Sequence, residues 1–406
     1  MTRFITGLDV GTASVKTAAA EITKEGKVKI FSLFKQASSG IRKGVVAYTD
    51  DAEKSVMSSL ERVKGAAKHC LQNIYMNVGG DQNKVQVSRG MVAVSRADNE
   101  ISKDDIDRVI KSSQDAVSSS NRVIIHTLTK DFIVDGMPKV DDPAGLVGNR
   151  LEVESIIISS FTQNVRSLNK LVEKSAGVIG GMVLGPIASA RAVLSKNQKD
   201  LGVALVEIGA GTTGISIFEE GKLLHAAILP IGSANITNDL AIGLKIPIEA
   251  AEALKLSYGY ALSRDIPVKE KIELKKVDAG NRGVISRKFF SEIIEVRLAE
   301  IFELVNNELK SAGKEKDLPA GVVFSGGGSK MPGITELGKR ELKLPVQVGM
   351  VLLEQFEFTN KEIEEKAEDP EFASVLGLAL FGCDEVLKGK IRFFNPFSRI
   401  LDYFLP

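Results

Sequence analysis

The sequence predicts a duplicated α/β fold, two related halves facing one another across a cleft. Three observations predict it. The first is the stretch Val203–Phe218, VALVEIGAGTTGISIF: an apolar, β-rich run ends in an acid, Glu207, turns through Gly209, Gly211 and Gly214, and returns as an alternating strand. The second is an earlier version of the same unit, FITGLDVGTASVKTAAAEI from Phe4. Its Asp9, Gly11 and Ser14 match Glu207, Gly209 and Thr212 at a constant offset of 198 positions. The third is that each turn leads into further strands rather than into a helix. An internal repeat of a supersecondary unit outranks any single motif in choosing a fold.

The bulk numbers narrow the function. A chain of 406 residues is long enough for two or more domains with sizeable cores. A formal charge of +1 supplies no field for nucleic acid, and the absence of Trp with 6% aromatic residues argues against base-stacking platforms. Cys70 and Cys383 make no disulfide framework, which suits a reducing compartment. His69, His126 and His225 lack ligand spacing and read as structural or surface residues. No apolar run precedes Asp9 and no stretch of about 18 apolar residues occurs, so neither a signal peptide nor a membrane span is expected.

Taken in order, residues 4–34 read as three strands. A helix follows at about Thr49–Leu71, with an acidic first turn and Val56, Leu60, Val63 and Ala67 on its apolar face. YMNVGG closes this unit. Residues 84–160 form a separate small module. VQVSRGMVAVSR reads as a pair of strands, and ISKDDIDRVIKSSQDAV as a helix with Ser102 as N-cap and Asp105 at the capping-box position. Two further strands flank the loop MPKVDDPAGLVGNR. With no glycine-rich anion loop and no convergent polar cluster, this insert reads as an interaction module. NVRSLNKLVEKSAG is a helix ending at Gly177. MVLGPIASARAVLS is a strand running into a helix whose Ala188, Ala190 and Ala192 permit close packing.

The strand–turn–strand unit returns from about Asp200. Residues 247–313 are mostly helical: Pro247 marks a helix start, and Phe290, Ile294, Leu298, Ile301, Val305 and Leu309 share one face of a helix ending at Gly313. AGVVFSGGGSKMPGITELGKREL is a buried strand, a turn through Gly326, Gly327 and Gly328, and a helix from near Pro332. NKEIEEKAEDPE reads as a solvated acidic face or loop. ASVLGLALFG is an apolar helix near the end of the globular part. The C-terminus differs in character. Lys388, Lys390 and Arg392 lead into NPFSRILDYFLP, with Asn395-Pro396 as a helix start. Phe393, Phe394, Phe397, Ile400, Leu401 and Phe404 make this an aromatic amphipathic segment suited to a membrane surface.

Gly209-x-Gly211-x-x-Gly214 matches GxGxxG literally, but a strand follows where the dinucleotide fingerprint needs a helix. A Rossmann dehydrogenase is therefore rejected. GxxxxGK[ST] and GxSxG are absent, which excludes a P-loop enzyme and leaves a serine hydrolase without parts. Two glycine turns and a strand–GGG–helix segment remain, parts suited to phosphates and an adenosine. Glu252 and Lys255, three apart on one helix, either meet the ribose or base or form a surface ion pair.

This arrangement resembles the actin, Hsp70 and sugar-kinase superfamily, an actin-like (RNase H-like) duplicated ATPase fold. In that reading GLDVGTASVK (Gly11, Thr12, Ala13, Ser14, Lys16) is the first phosphate loop, and VEIGAGTTGISIF (Gly209, Gly211, Thr212, Thr213) is the second. GVVFSGGGSKMPGI (Gly326, Gly327, Gly328, Lys330) is the adenosine motif. Within the superfamily, SGIRKGVV, DPAGLVGNRLEVE, AEALKLSYGYAL, IIEVRLAEIFELV and the terminal amphipathic segment resemble the FtsA family of bacterial cell-division proteins. The resemblance covers essentially the whole chain, and DPxGLxGxRLEVE is its most specific piece.

The resemblance implies subdomain 1A at 1–82, 163–192 and 373–387, an inserted 1C (SHS2-type) module at 83–162, and 2A at 193–246 and 319–372. It further implies a helical 2B at 247–318 and a linker with a membrane-targeting helix at 388–406. It implies ATP and Mg²⁺, with Asp9 and Glu207 holding the metal through water. It also implies filaments on the cytoplasmic face of the membrane at the division septum, docking of the FtsZ C-terminal peptide on 247–318, and divisome contacts through the insert.

The pattern departs from the superfamily where Glu207, Ala210 and Gly214 replace Asp, Gly and Asp, and where Gly185 precedes Pro186 in place of a water-orienting Glu. Glu207, the candidate catalytic acid, reaches one methylene further than Asp. Phosphoryl transfer depends on positioning, so tight nucleotide binding with slow or negligible turnover is expected. A pilus-assembly platform protein and a small-molecule kinase of the same superfamily are the alternative readings.

Overall fold

The structure, a computed structural model, describes residues 4–277 and 283–387. Phe4–Val10 (β1), Ser14–Ile22 (β2) and Val28–Ala37 (β3) are the three expected antiparallel strands. Thr49–Ala66 (α1) buries Val56, Leu60 and Val63, but ends before the predicted Leu71. A 3-10 turn at Lys68–Gln72 replaces its last turn, because the Cys70 carbonyl is tucked in to accept the Thr6 hydroxyl at 3.0 Å. Ile74–Val78 (β4) then runs parallel to β1.

The insert opens with Lys84–Ala93 (β5), one strand where a pair was expected. Gly90, inside the stretch read as two strands, lies mid-strand beneath Lys103–Asp115 (α2): a Cβ there would fall 2.2 Å from the Val109 carbonyl. The glycine serves close helix approach rather than chain reversal. Ser102 and Asp105 form the predicted capping box. Arg122–Val134 (β6), Met137–Val140 (β7) and Arg150–Phe161 (β8) complete a sheet of order β5-β8-β6-β7.

Thr162–Glu173 (α3) and Ile179–Leu184 (β9) return the chain to the first half. Gly185–Val193 (α4) and Lys196–Leu201 (α5) carry it across to the second. There Val203–Ile208 (β10), Thr213–Glu219 (β11) and Lys222–Leu229 (β12) repeat the opening unit. Ser233–Leu244 (α6), Ile248–Tyr258 (α7) and Arg287–Ser311 (α8) form the helical lobe, and the predicted stripe of α8 is buried.

Val322–Ser325 (β13), Ile334–Leu342 (α9) and Val346–Val348 (β14) finish the second sheet. Phe356–Phe358 (β15) crosses back to pair with β3. The acidic run read as a loop or solvated face contains Lys361–Ala367 (α10): Asn360 caps it, Ile363 and Ala367 are buried, and Lys366 pairs with Glu362 at 2.7 Å on its exposed side. Ala373–Leu387 (α11) packs on α4, where Gly377 lies against the Ala188 carbonyl, as the small residues predicted.

The repeat is exact in topology. One sheet runs β9-β4-β1-β2-β3-β15 and the other β12-β11-β10-β13-β14, so the five common strands have the same order in each half. The insert and the second half touch through Lys222, which reaches Asp131 at 3.0 Å and Asp141 at 2.7 Å. Cys70 and Cys383 are free and buried.

Candidate functional site

The two glycine turns share one construction. The Gly11 amide donates to the Ser14 carbonyl at 3.0 Å, and the Gly209 amide to the Thr212 carbonyl at 2.9 Å. In the second turn the carbonyls of Gly209 and Ala210 face backwards and accept from the Ser233 and Ala234 amides at the start of α6, both at 2.9 Å. The amides of Ala210, Gly211 and Thr212 are left with no hydrogen-bond partner among the described residues, as are those of Thr12 and Ala13 in the first turn. Successive amides presented in this way form an anion-binding concavity. The turns also face each other: a Cβ on Gly211 would lie 2.6 Å from the Thr12 hydroxyl. That hydroxyl itself accepts from the Gly44 amide at 3.2 Å.

Charge is distributed unequally around them. Asp9 lies opposite Lys16 in the β1–β2 register and binds its ammonium at 2.9 Å. The other Asp9 oxygen accepts from the Asn77 side-chain amide at 2.7 Å, and Asn77 Oδ1 accepts from the Val10 amide at 2.8 Å. Burial alone would lower the Lys16 pKa. Asp9, with Glu371 and Glu207 further away, outweighs it and leaves Lys16 above its ordinary value.

Glu207 accepts from Ser189 at 2.8 Å, and its second oxygen fills the space beside Gly185, 3.4 Å from where a Cβ would stand. Burial first, then the nearby Asp9 charge, push this carboxyl up to about 7. The absent side chain at 185 and the longer acid at 207 are thus one arrangement.

The triple glycine divides in function. Gly326, at φ +79°, and Gly328 are held tight against Ile208, with Cβ positions 2.7 and 2.4 Å from its atoms, so they serve packing of β13 on β10. Gly327 faces more open space near Glu371. Lys330 binds Asp369 at 2.6 Å and lies 3.8 Å from Glu371, which also takes Lys35 at 2.7 Å.

Glu252 and Lys255 are joined at 2.6 Å, and Lys255 also donates to Thr237 at 2.8 Å and to the Ser233 carbonyl at 3.3 Å. The pair braces α7 on α6 behind the second turn. Asn77, Ser189, Asp369 and Glu371 escaped the sequence reading. A lone Asn in an apolar strand and a Ser in an alanine row were the available signals, whereas the two acids lay in a run read as solvated.

These residues fit a phosphate-bearing ligand with a hydrated divalent cation. Among the described residues no group of three His, Cys, Asp or Glu forms a metal cage. Asp9 and Glu207 alone suit a small cation that keeps its waters and takes other oxygens from phosphate. None of the histidines belongs to the site: His69 stacks on Phe4, His225 meets Glu308 at 2.7 Å, and burial pushes His126 down to about 4. The tail residues Phe393, Phe394, Phe397, Ile400, Leu401 and Phe404 lie outside the described residues. No described helix is long and apolar enough to cross a membrane.

Two sheets that share five strands in one order, each presenting a glycine turn to the other, define an actin-like ATPase fold. Solved structures agree on the architecture. The PilM–PilN type IV pilus biogenesis complex aligns with TM-score 0.65 at 17% identity, covering 93% of this chain and 98% of that one. MreB5 of Spiroplasma citri bound to ADP aligns with TM-score 0.56 at 12% identity, covering 96% and 98%.

Sequence relatives are more specific. Residues 204–377 match the family profile described as "Cell division protein FtsA", and residues 80–159 that described as "SHS2 domain inserted in FTSA". The cell division protein FtsA of Pseudomonas aeruginosa is 31% identical over 95% of this chain and 91% of its own length. That of Bacillus subtilis is 32% identical over 93% and 82%. The chain belongs to the FtsA family of cell-division proteins. Membership removes the pilus-platform and kinase alternatives as family assignments.

Proposed function

We propose that the chain is an actin-like scaffold of cell division that binds ATP with Mg²⁺ in the cleft between its two glycine turns and turns it over slowly or negligibly. The observation that carries the reading is the facing pair of turns, with outward amides and the Asp9–Lys16 and Glu207 charges between them, in a chain of this family. Thr12, Ala13, Gly211 and Thr212 would receive phosphate oxygens. Lys16 would exchange part of its pairing with Asp9 for phosphate, and Asp9 and Glu207 would hold the cation through water. The bound cation supplies charge neutralisation for the phosphates. The Ser189 hydrogen bond and the contact with Gly185 tie Glu207 to the β9–α4 junction, away from the geometry of a short aspartate. This supports binding without efficient hydrolysis.

In the same reading the protein polymerises on the cytoplasmic membrane face at the septum, anchored by the segment 388–406. The helical lobe 247–318 takes the FtsZ C-terminal peptide, and the insert recruits later divisome proteins.

Co-sedimentation with liposomes tests the whole, using the full chain and a version ending at Lys390, each with ATP and Mg²⁺. The full chain is expected to pellet and to form filaments on lipid, the shorter chain to stay soluble. Equal pelleting of both removes the anchor. A steady-state ATPase rate typical of chaperones or sugar kinases would refute the holding role of the site.

A further inference from the structure

The chain crosses between its halves twice, at 194–202 and again at 349–355, and beside the crossings lies a half-open pocket of about 410 Å³. Arg191, Lys196, Lys199, Asp200, Glu354 and Gln355 line it. This is apart from the nucleotide cleft, and none of these residues belongs to the turns.

The cations here are not equivalent. The Arg191 guanidinium is committed: it grips Asp384 at 2.9 and 3.1 Å and also donates to Gln355. Lys199 is not. Among the described residues no carboxylate lies within ion-pairing distance of it, and its ammonium stands 5.3 Å over the Phe218 ring. Burial, and then the neighbouring Arg191, bring its pKa down to about 8, with Asp384 offsetting only part of this. An ammonium partly stripped of water beside a guanidinium is a charge arrangement that an incoming anion would relieve. Lys196, exposed one turn away, is likewise without an ion pair among the described residues. Asp200 and Glu354 are both exposed and pair with neither lysine.

We propose that this hinge cavity is a second anion site, in which Lys199 and Lys196 take a phosphate group beside the Arg191–Asp384 pair. The volume is at the small end for ligand sites, enough for a pyrophosphate or a glycerophosphate head. Two sources share that chemistry: a soluble phosphate ester, or an anionic lipid headgroup. The second is available in sequence terms because Asp384 belongs to α11, whose last described residue is Leu387, shortly before the amphipathic segment of the sequence. The inference stands apart from the nucleotide reading, since it uses neither turn.

Site-resolved acylation tests it. The nucleotide-free full chain is treated with N-hydroxysuccinimidyl acetate at pH 7.5, and the labelling rate of each lysine is read by peptide mass spectrometry. The additions are pyrophosphate, phosphatidylglycerol vesicles, phosphatidylcholine vesicles, and sodium chloride of matched ionic strength. Lys199 is expected to label readily and to be protected roughly tenfold when a binding phosphate is at ten times its dissociation constant. Protection by pyrophosphate assigns a soluble ligand; protection by phosphatidylglycerol but not phosphatidylcholine assigns a headgroup. Lys196→Ala, at an exposed position, should weaken the protection several-fold while leaving Lys199 labelling unchanged without ligand. Protection by neither phosphate source, or equal protection by sodium chloride, overturns the site.

Discussion

At the first turn the buried acid faces a lysine; at the second, the same register position holds a glycine. Asp9 pairs with Lys16 across β1 and β2, whereas Glu207 faces Gly214 across β10 and β11. A close neighbour favours the glycine: Pro186 lies 3.0 Å from where a Cβ on residue 214 would stand. A duplicated backbone has therefore diverged electrostatically. One half closes its charge internally, while the other keeps a carboxyl near neutrality, free to ionise when a cation arrives.

The largest effect should come from breaking the closed half. Lys16→Met leaves Asp9 buried beside Asn77 without its cation, and is expected to cost about 3–5 kcal/mol by chemical denaturation. A loss below 1 kcal/mol would mean that the pair is not carrying its half.

The second half should fail by packing instead. Gly214→Ala presses on Pro186, at an expected cost of about 1–3 kcal/mol, with nucleotide affinity falling as the turn shifts.

Glu207→Gln sharpens the contrast with the opposite sign. A carboxyl raised from 4.5 to about 7 holds its proton more tightly in the folded state, so the wild-type chain loses stability as pH climbs between those values. The variant should flatten that slope and gain about 1 kcal/mol at pH 8, a figure discounted for the partial exposure of the side chain. Thermal melts from pH 5 to 8 in metal-free buffer read it directly, and an unchanged slope would place the titration elsewhere.

The smallest effect belongs to the ion pairs between insert and second half. Lys222 is a third exposed, so Lys222→Ala should cost under about 1 kcal/mol and respond to salt. The same pairing chemistry is worth less there because water competes for it.

Much of this was legible in advance. The offset of 198 positions holds in three dimensions down to the matching Gly11–Ser14 and Gly209–Thr212 hydrogen bonds. The α2 capping box and the buried stripe of α8 follow from local spacing. Where reading failed, a distant partner had overridden a local signal. VQVSRGMVAVSR read as two strands but contributes one continuous strand, in which Gly90 admits α2, and the acidic run at 361–367 forms a helix because Ile363 and Ala367 find a core to enter.

Within the site, Asn77, Ser189 and Glu371 act on Asp9, Glu207, Lys35 and Lys330 from positions remote in the chain. The triple glycine that looked wholly dedicated to a ligand turns out to serve packing at two of its three members.

The sequence by itself determined the repeat, its glycine turns and the family they belong to, because backbone conformation and strand alternation are set by neighbours a few residues apart. Only the tertiary structure decided which acid is paired and which is left near neutrality. That outcome depends on what faces each carboxylate across a strand or from another element, and on how far water is kept from it.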